Sequence, residues 1–361
     1  MYSSVTRTEG YKRRLLDFIR FEYGIKSRSI VPARRGFYGE TWQLVEHNKK
    51  KASGKTKDAE AAGSLSDVVR SYFVKLDYSP HRDIYERSFA VVDHLCNNGI
   101  DYISKVVRTT NGKLLARFDG AILGVFEWID GENVQTNDTK LLEYQLMAKI
   151  YTVPGEGLQI RREDFSSKCV DSFYMQWSKL KDEAVNALLE KNREKIEHRA
   201  GRLRAFSDIC RSDTTDFYIT HGDAGGNFIA GVESPDCDDP GHGSESASGE
   251  QHPIMHYIVD WDEPALAPPE RDAWVMCSHE WARDAFHEAL SRNGIEYTLR
   301  PERLAYYCYH YFFFYLTSYL DALPQVAPDQ LEAYKKTIEE YIDSWVQDSF
   351  GYVDMICYTG P

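Results

Sequence analysis

The most informative stretch of this chain is Thr-His-Gly-Asp-Ala-Gly-Gly-Asn-Phe at residues 220–228, followed by Tyr-Ile-Val-Asp-Trp-Asp at residues 257–262. A His-Gly-Asp triplet by itself usually forms a turn and carries little information. Here Asp223 is followed four residues later by Asn227, and Asp260 ends an apolar, strand-like run. Phosphoryl transfer from ATP uses such a set: one carboxylate positions the acceptor hydroxyl, while an amide oxygen and a second carboxylate hold Mg²⁺.

The spacing of the two carboxylates is compatible with this chemistry once an insertion is recognised. Asp223 and Asp260 are 37 positions apart, and residues 234–253 between them are rich in Gly, Pro, Ser and acidic residues that cannot form a core. The remaining residues suit a loop, a strand at Phe228–Val232, a turn and a strand at Met255–Val259. We therefore expect both Asp side chains to face one cleft.

These residues resemble the aminoglycoside phosphotransferase family, whose fold is similar to that of protein kinases. The run Glu-Pro-Ala-Leu-Ala-Pro-Pro-Glu-Arg-Asp at residues 263–272 is most similar to the spectinomycin phosphotransferase branch, and the resemblance is strongest over residues 205–285. It implies an α+β, bilobal, protein-kinase-like fold. The small N-terminal lobe is expected to hold an antiparallel sheet and one helix, and the larger C-terminal lobe to be mainly helical. It also implies ATP and Mg²⁺ as cofactors, but not the identity of the acceptor.

The composition is that of a globular protein with an acidic surface. Of 361 residues, 42% are hydrophobic and 13% aromatic, which is ample for a substantial core. The balance of 43 Lys and Arg against 56 Asp and Glu gives a net charge of −13, which argues against nucleic acid and anionic membranes as partners. A cationic small-molecule acceptor fits this charge, although acidity also serves solubility alone. The sequence gives no indication of oligomeric state.

The cysteines and the termini favour a cytoplasmic protein. The seven cysteines are scattered, odd in number and form no C-x-x-C pair, and the polar stretch Met1–Arg14 lacks the apolar core of a signal peptide. No structural zinc is expected. The aromatic run at residues 305–320 is too short and too rich in hydroxyl groups to span a membrane, so we predict a buried helix there.

The first third of the chain is expected to hold the nucleotide. The pattern of residues 31–44 predicts two short strands around a turn that contains Gly36 and Gly39. At such a turn the backbone can approach phosphates. An ordinary hairpin gives the same pattern. Lys75 lies in the strand-like run Ser71–Leu76, and the resemblance implies that it grips the α- and β-phosphates of ATP.

A lysine in this role needs an acidic partner on the next helix. Ser79 and Pro80 form a helix start, Asn98 and Gly99 form a stop, and apolar residues recur between them at helical spacing. Glu86 is the preferred partner of Lys75, with Asp83 as the alternative.

A segment near residue 128 is expected to join the two lobes. Strands are predicted at Ile103–Thr109 and Leu114–Phe118, connected by the hairpin signal Asn111-Gly112. A buried strand beginning at Ala121 then runs into an acidic and aromatic segment. By its order along the chain, this segment matches the hinge whose backbone binds adenine in the family, which implies roles for Glu127, Trp128 and Ile129.

After Gly131 the pattern is helical, with helices predicted at 139–151, 172–193, 195–210, 270–293, 301–323 and 328–348. We therefore expect an N-terminal lobe at residues 1–129, with an insertion at about 47–66. A C-terminal lobe is expected at residues 130–361, with an insertion at about 234–253. One departure from the family is Tyr151, which stands where many members carry a His.

The resemblance assigns a role to each motif. Asp223 would orient the acceptor hydroxyl and accept its proton, while Asn227 and Asp260 would hold Mg²⁺. His221 is expected to pack the loop. The acidic residues after Asp260 would serve the acceptor or the loop: Asp262, Glu263 and Glu270 are candidates for acceptor binding, and Asp272 is predicted to brace the catalytic loop.

Alternative functions are a kinase of another small metabolite, of the choline, ethanolamine, homoserine or amino-sugar type, and a nucleotide-binding pseudokinase. A protein kinase is disfavoured, because Asp-Trp-Asp replaces Asp-Phe-Gly at residues 260–262 and no Ala-Pro-Glu closes an activation segment.

Overall fold

The computed structural model describes residues 7–33, 39–48, 68–78, 82–133, 136–223, 228–232 and 254–357. The chain folds into two compact units. The first, here called the sheet unit, comprises the described residues of Thr6–Val134 and Gly226–Asp262. The second, here called the helical unit, comprises those of Gln135–Gly225 and Glu263–Pro361.

The elements follow one another in this order: α1 (Glu9–Tyr23), β1 (Ser27–Pro32), β2 (Gly39–Asn48), β3 (Val68–Asp77), α2 (Arg82–Asn97), β4 (Ala116–Phe118), β5 (Ala121–Glu127), β6 (Gly131–Asn133), α3 (Asn137–Ile150), β7 (Arg161–Arg162), α4 (Lys168–Lys179), α5 (Glu183–Lys191), α6 (Arg193–Arg211), β8 (Tyr218–Thr220), β9 (Phe228–Val232), β10 (Ile254–Ile258), β11 (Ala265–Ala267), α7 (Glu270–Ala273), α8 (Glu280–Arg292), α9 (Pro301–Ala322), α10 (Leu331–Ser344) and α11 (Gln347–Ile356).

The sheet unit is built on an antiparallel sheet with the strand order β1-β2-β3-β5-β4. One face is covered by α1, whose buried residues recur every four positions, as a helix packed on one side requires: Tyr11, Leu15, Ile19 and Tyr23. Thr8 caps this helix by accepting from the backbone N–H of Tyr11, and Gly24 ends it with φ of 72°. This helix is additional to the single N-terminal helix that was predicted.

Helix α2 lies on the opposite face of the sheet. Phe89 is wholly buried and packs with Ile122 of β5, and its ring stacks on Phe126 at a centroid distance of 5.0 Å. The ring occupies the space that a Cβ on Gly124 would need, so glycine is required at this point of β5. Gly124 pairs with Lys75 across the sheet, which places α2 on the face that carries the Lys75 side chain.

The sheet unit also contains the hairpin β9–β10, with Ile258 paired to Phe228 and β6 hydrogen-bonded along the other side of β9. The predicted strand at Phe228–Val232 is confirmed, and the predicted second strand is shifted by one residue to Ile254–Ile258. Most of the predicted insertion at 47–66 and all of that at 234–253 lie outside the described residues.

The helical unit is centred on α9. Twelve of its residues are buried, among them Tyr306, Tyr307 and Phe313, which confirms the predicted buried helix. Within the part of the chain that the structure describes, no helix is long and apolar enough to cross a membrane. A small sheet with the order β7-β11-β8 leads the chain into the candidate active site.

Several predicted elements are divided or irregular in the structure. The segment Ile103–Thr109 makes only isolated bridges, at Ile103 and Val106, so the predicted strand there was wrong. The predicted helix at 172–193 is two helices, because Asp182 starts α5 by accepting from the backbone N–H of Val185 at 2.9 Å.

The predicted helices at 270–293 and 328–348 are likewise broken, into α7 and α8 and into α10 and α11. The fold class is nevertheless as predicted, an antiparallel sheet with helices followed by a mainly helical part. The predicted boundary at 129/130 stays a prediction, and residues 226–262 group with the sheet unit.

Candidate active site

In the sheet unit, the candidate site is organised around Lys75. This residue lies in β3 between Thr41 of β2 and Gly124 of β5, and it is buried. Its Nζ lies 2.8 Å from Oδ1 of Asp260, and 2.6 and 2.5 Å from Oδ1 and Oδ2 of Asp262. One ammonium group therefore faces two carboxylates.

The two carboxylates are presented by a tight turn after β10. Asp260 adopts φ of 63°, a left-handed conformation that Asp tolerates better than most residues. Trp261, which lies between the two acids in the sequence, is buried. Its indole N–H donates to the carbonyl of Ile258 at 3.1 Å. The backbone N–H of Asp262 donates to the carbonyl of Asp260 at 2.9 Å. The buried indole thus anchors the turn, and both carboxylates reach Lys75.

This arrangement fits a hard divalent cation. The side chains of Asp260 and Asp262 are 47% and 42% exposed, so a ligand can reach them. No cluster of three or more His, Cys, Asp or Glu side chains that could hold a metal occurs among the described residues. Mg²⁺ usually keeps several waters and binds through one or two carboxylates together with substrate phosphates, so two carboxylates suffice.

The structure thus places Asp262 with Lys75 and Asp260, whereas the sequence suggested a place near the acceptor. Asn227, the other predicted metal ligand, lies outside the described residues. So does Gly36, while Gly39 begins β2 and pairs with Asp77.

The predicted ion pair between Lys75 and Glu86 is not formed. Glu86 forms an ion pair with Arg117 of β4, and both side chains are partly exposed, so this is a surface pair. The Lys75 ammonium instead contacts the carboxylates of Asp260 and Asp262, which follow β10. The alternative partner, Asp83, has a side chain outside the described set.

The predicted hinge segment has both occupied and open backbone groups. The N–H of Glu127 donates to the carbonyl of Lys105 at 2.9 Å, and the N–H of Trp128 donates to the carbonyl of Ser71 at 3.1 Å. Ile129 makes no backbone hydrogen bond within the described part of the chain. Of the three predicted residues, Ile129 therefore has a backbone N–H without a partner among the described residues.

In the helical unit, the candidate site is the loop after β8. His221 is buried, and its Nδ1 accepts from the backbone N–H of Asp223 at 3.1 Å, so its ring packs the loop as expected. Gly222 has φ of 90°, which turns the chain sharply between the two residues. The side chain of Asp223 is exposed, as a group that acts on a substrate must be.

Asp272 of α7 holds this loop, as predicted. Its Oδ1 accepts from the backbone N–H of Gly222 at 2.5 Å, and its Oδ2 accepts from the N–H of His221 at 3.2 Å. Oδ2 also accepts from the hydroxyl of Tyr151 at 2.8 Å. Tyr151, the departure from the family pattern, thus supplies a third donor to the brace.

Arg271 is a neighbour of this loop that the sequence did not single out. Its guanidinium is buried and donates to Oγ1 of Thr220 at 3.1 Å and to the carbonyl of Glu263 at 2.9 Å. A Cβ on Gly222 would lie 2.5 Å from this guanidinium. Its place directly before Asp272 was the signal available in the sequence.

The two remaining acceptor candidates have opposite environments. Glu263 is exposed and makes no ion pair with any described residue, so it is free to meet a ligand. Glu270 is fully buried and accepts from the Tyr297 hydroxyl at 2.8 and 2.9 Å and from the backbone N–H of Arg300 at 2.6 Å. Burial raises the pKa of Glu270 to about 7. Glu270 is therefore a structural residue, and the prediction that it contacts the acceptor was wrong.

Comparison with solved structures identifies the fold. The structure of spectinomycin phosphotransferase APH(9)-Ia with ADP and spectinomycin superposes with a TM-score of 0.67 at 18% identity, covering 94% of this chain and 97% of that one. An aminoglycoside phosphotransferase from Alicyclobacillus acidocaldarius gives a TM-score of 0.53 at 13% identity, covering 98% of both chains. The GDP and kanamycin complex of APH(2")-IIIa gives 0.52 at 12% identity, covering 94% and 99%.

The chain therefore has the fold of the aminoglycoside phosphotransferases, as the sequence motifs predicted. No family model and no curated protein matches the sequence. At these identities the likeness defines the fold alone.

Proposed function

We propose that this protein is an ATP-dependent O-phosphotransferase that acts on a hydroxyl of a small, cationic molecule. The observation that carries the proposal is the group formed by Lys75, Asp260 and Asp262, in which one buried ammonium faces two accessible carboxylates. A nucleoside triphosphate with Mg²⁺ supplies the complementary charges, phosphates for the ammonium and a divalent cation for the carboxylates.

The sheet unit would bind the nucleotide. Lys75 would leave the carboxylates to contact the α- and β-phosphates, and Ile129 would pair its open N–H with adenine. Asp260 and Asp262 would hold Mg²⁺, together with Asn227 as the sequence suggests. When bound, this ion neutralises phosphate charge.

The helical unit would act on the acceptor. Asp223 would accept a hydrogen bond from the acceptor hydroxyl and orient its oxygen toward the γ-phosphorus. The bond from this phosphorus to the β,γ-bridging oxygen breaks, ADP leaves with the electron pair, and a bond to the acceptor oxygen forms. The hydroxyl proton passes to Asp223 and then to solvent. Since the transition state is loose, deprotonation is required only late.

The acceptor class follows from charge. A net charge of −13 and the exposed Glu263, unpaired among the described residues, favour a protonated amine. Aminocyclitols and amino sugars, such as spectinomycin, are the first compounds to test. Choline, ethanolamine and other amino alcohols are the second.

A coupled assay of ADP release tests the proposal. Turnover of Mg·ATP is measured against a panel of cationic, neutral and anionic alcohols, with wild type, Asp223→Asn and the exposed control Asp208→Asn. Acceptor-dependent turnover is expected with wild type and the control. Asp223→Asn should lose about 10²- to 10⁴-fold in kcat while still binding Mg·ATP. Wild-type turnover by Asp223→Asn would refute the assignment. Nucleotide binding without turnover of any alcohol would favour the pseudokinase instead.

A further inference from the structure

Helix α9 carries a partly exposed aromatic surface in the helical unit. Whereas most of this helix is buried, Tyr315 and Tyr319, one turn apart, are partly exposed. The ring of Tyr315 contacts that of Trp345 at a centroid distance of 5.9 Å, and Trp345 is also partly exposed. Tyr341 links the group, at 5.2 Å from Tyr319 and 4.6 Å from Trp345. The rings of Tyr315, Tyr319 and Trp345 are here called the aromatic face.

The polar tips of the aromatic face have no partner among the described residues. Neither the hydroxyls of Tyr315 and Tyr319 nor the indole N–H of Trp345 makes a hydrogen bond there, and none is a fully buried atom. Two tyrosines earlier in α9 differ, since Tyr306 donates to the carbonyl of Ser166 and Tyr307 donates to Glu163. The aromatic face therefore combines accessible ring surface with open hydrogen-bonding groups, as ligand-binding rings do.

The aromatic face is built on the same short segment that holds the catalytic loop. Trp274 lies two residues after Asp272, whose carboxylate binds the loop. Its ring stacks on Tyr311 at 5.3 Å and contacts Trp345 at 5.3 Å. Tyr311 in turn stacks on Tyr315 at 5.9 Å. The loop of Asp223 and the aromatic face are thus fixed to each other through one packed chain of residues.

Trp345 is held by packing in a strained turn. It ends α10, and the next residue, Val346, has φ of 42°. This left-handed conformation is rare for a β-branched residue, so the turn is imposed by its surroundings. Contacts with Trp274 and Tyr341 supply that constraint.

Glu263 is tied to the segment that supports the aromatic face. Its backbone carbonyl accepts from the guanidinium of Arg271 at 2.9 Å, and Arg271 lies three residues before Trp274. Burial, followed by the charges of Asp223 and Glu263, also raises the pKa of Tyr315. Glu263 is exposed and has no ion partner among the described side chains. Aromatic ring faces bind organic cations, and carboxylates add direct attraction to an ammonium group.

We propose that Tyr315 and Trp345 are specificity-determining residues that bind the cationic group of the acceptor against their rings, with Glu263 as its counter-charge. This inference rests on the proposed function for the identity of the ligand as an acceptor. The hydroxyl of Tyr315 and the indole N–H of Trp345 would then donate to oxygen atoms of the same molecule.

Choline and its neutral isostere 3,3-dimethylbutan-1-ol test the proposal, because the two have the same shape and hydroxyl group and differ in the charge of one centre. Binding of each is measured by ligand-observed NMR up to tens of millimolar. The variants are Tyr315→Ala and Trp345→Ala, with Tyr174→Ala as matched control. Tyr174 is also a partly exposed helical tyrosine of the helical unit, and it stacks on Trp177.

Wild type and Tyr174→Ala should bind choline in preference to the isostere. Tyr315→Ala and Trp345→Ala should each bind choline about tenfold more weakly, as expected for loss of one cation–π contact. Equal binding of the two alcohols by wild type, no binding of choline at all, or an unchanged affinity in both variants would overturn the proposal. Failure of the proposed function is a separate result, since it appears as absence of ADP release with every alcohol.

Discussion

Replacing Gly222 by Ala should test how the catalytic loop is held. The substitution has two costs. A residue with a Cβ at φ of 90° costs about 1–2 kcal/mol relative to glycine. The new Cβ would also lie 2.5 Å from the Cζ and Nη2 atoms of Arg271, so this buried guanidinium must move. Its hydrogen bonds to Thr220 and Glu263 are each worth about 1.5–3 kcal/mol. Loss of one of these bonds brings the total to about 2.5–5 kcal/mol, and loss of both to about 4–8 kcal/mol.

Gly157→Ala is the matched control. Gly157 belongs to the same unit and has φ of 83°, and a Cβ there meets nothing within 4 Å. Gly157→Ala should lose only about 1–2 kcal/mol of unfolding free energy, the cost of the left-handed backbone conformation, and should keep its activity. Urea unfolding measures both losses, and ADP release measures kcat. Gly222→Ala should also lose about 10²-fold in kcat, because a displacement of about 1 Å in a catalytic group has that effect. Equal destabilisation of the two variants, with wild-type kcat in Gly222→Ala, would refute this account of the loop.

Other expectations follow from the same contacts. Asp260→Ala should make thermal stabilisation by ATP insensitive to Mg²⁺, and a wild-type Mg²⁺-dependent shift would show that the metal is held elsewhere. Tyr151→Phe should lower stability by about 1–2 kcal/mol, because Asp272 loses a donor; an unchanged urea midpoint would contradict this. The pKa of Glu270 is raised on folding from 4.5 to about 7. Its ionisation therefore removes stability as pH rises through that window, by at most about 3 kcal/mol. Relative to wild type, Glu270→Gln should gain stability between pH 5 and 7.5, and a pH-independent difference would refute the shift. Replacing residues 234–253 by a short Gly-Ser linker should leave kcat within a few-fold, whereas loss of activity in a folded variant would show that the insertion shapes the site.

Local patterns in the sequence were enough to predict the strands that carry the site. The alternation around Lys75 and the run at Phe228–Val232 depend on neighbours within a few residues, so their strands could be predicted. Helix α1 was missed although its stripe from Tyr11 to Tyr23 recurs every four residues. Leu16, Phe18 and Phe21 stand among the charged residues between these positions and blur the stripe. The stripe becomes informative only when a sheet face is available to cover it.

The partners of the site residues could not be predicted in the same way. Lys75 was expected to pair with Glu86, eleven residues away, whereas it contacts Asp262, 187 residues away. Glu86 and Asp262 are both carboxylates near predicted elements, and only the packing of the turn after β10 distinguishes them. Glu270 shows the same limit, since it was predicted to serve the acceptor, whereas Asp272, two residues later, was predicted to brace the loop. A single short helix directs Glu270 toward Tyr297 and Asp272 toward the loop.

The segment from Glu270 to Met276 thus determines how precisely the loop of Asp223 is placed. Helix α7 has four residues and the turn after it has three, too few to be stable in isolation. Its order must come from tertiary packing, chiefly the stack of Trp274 on Tyr311 of α9. Because Arg271 and Asp272 extend from this segment to the loop, the rigidity of α9 is transmitted to Asp223 over a few residues. The same stack supports the aromatic face, so one buried contact positions both the group proposed to act on the hydroxyl and the rings proposed to bind the acceptor.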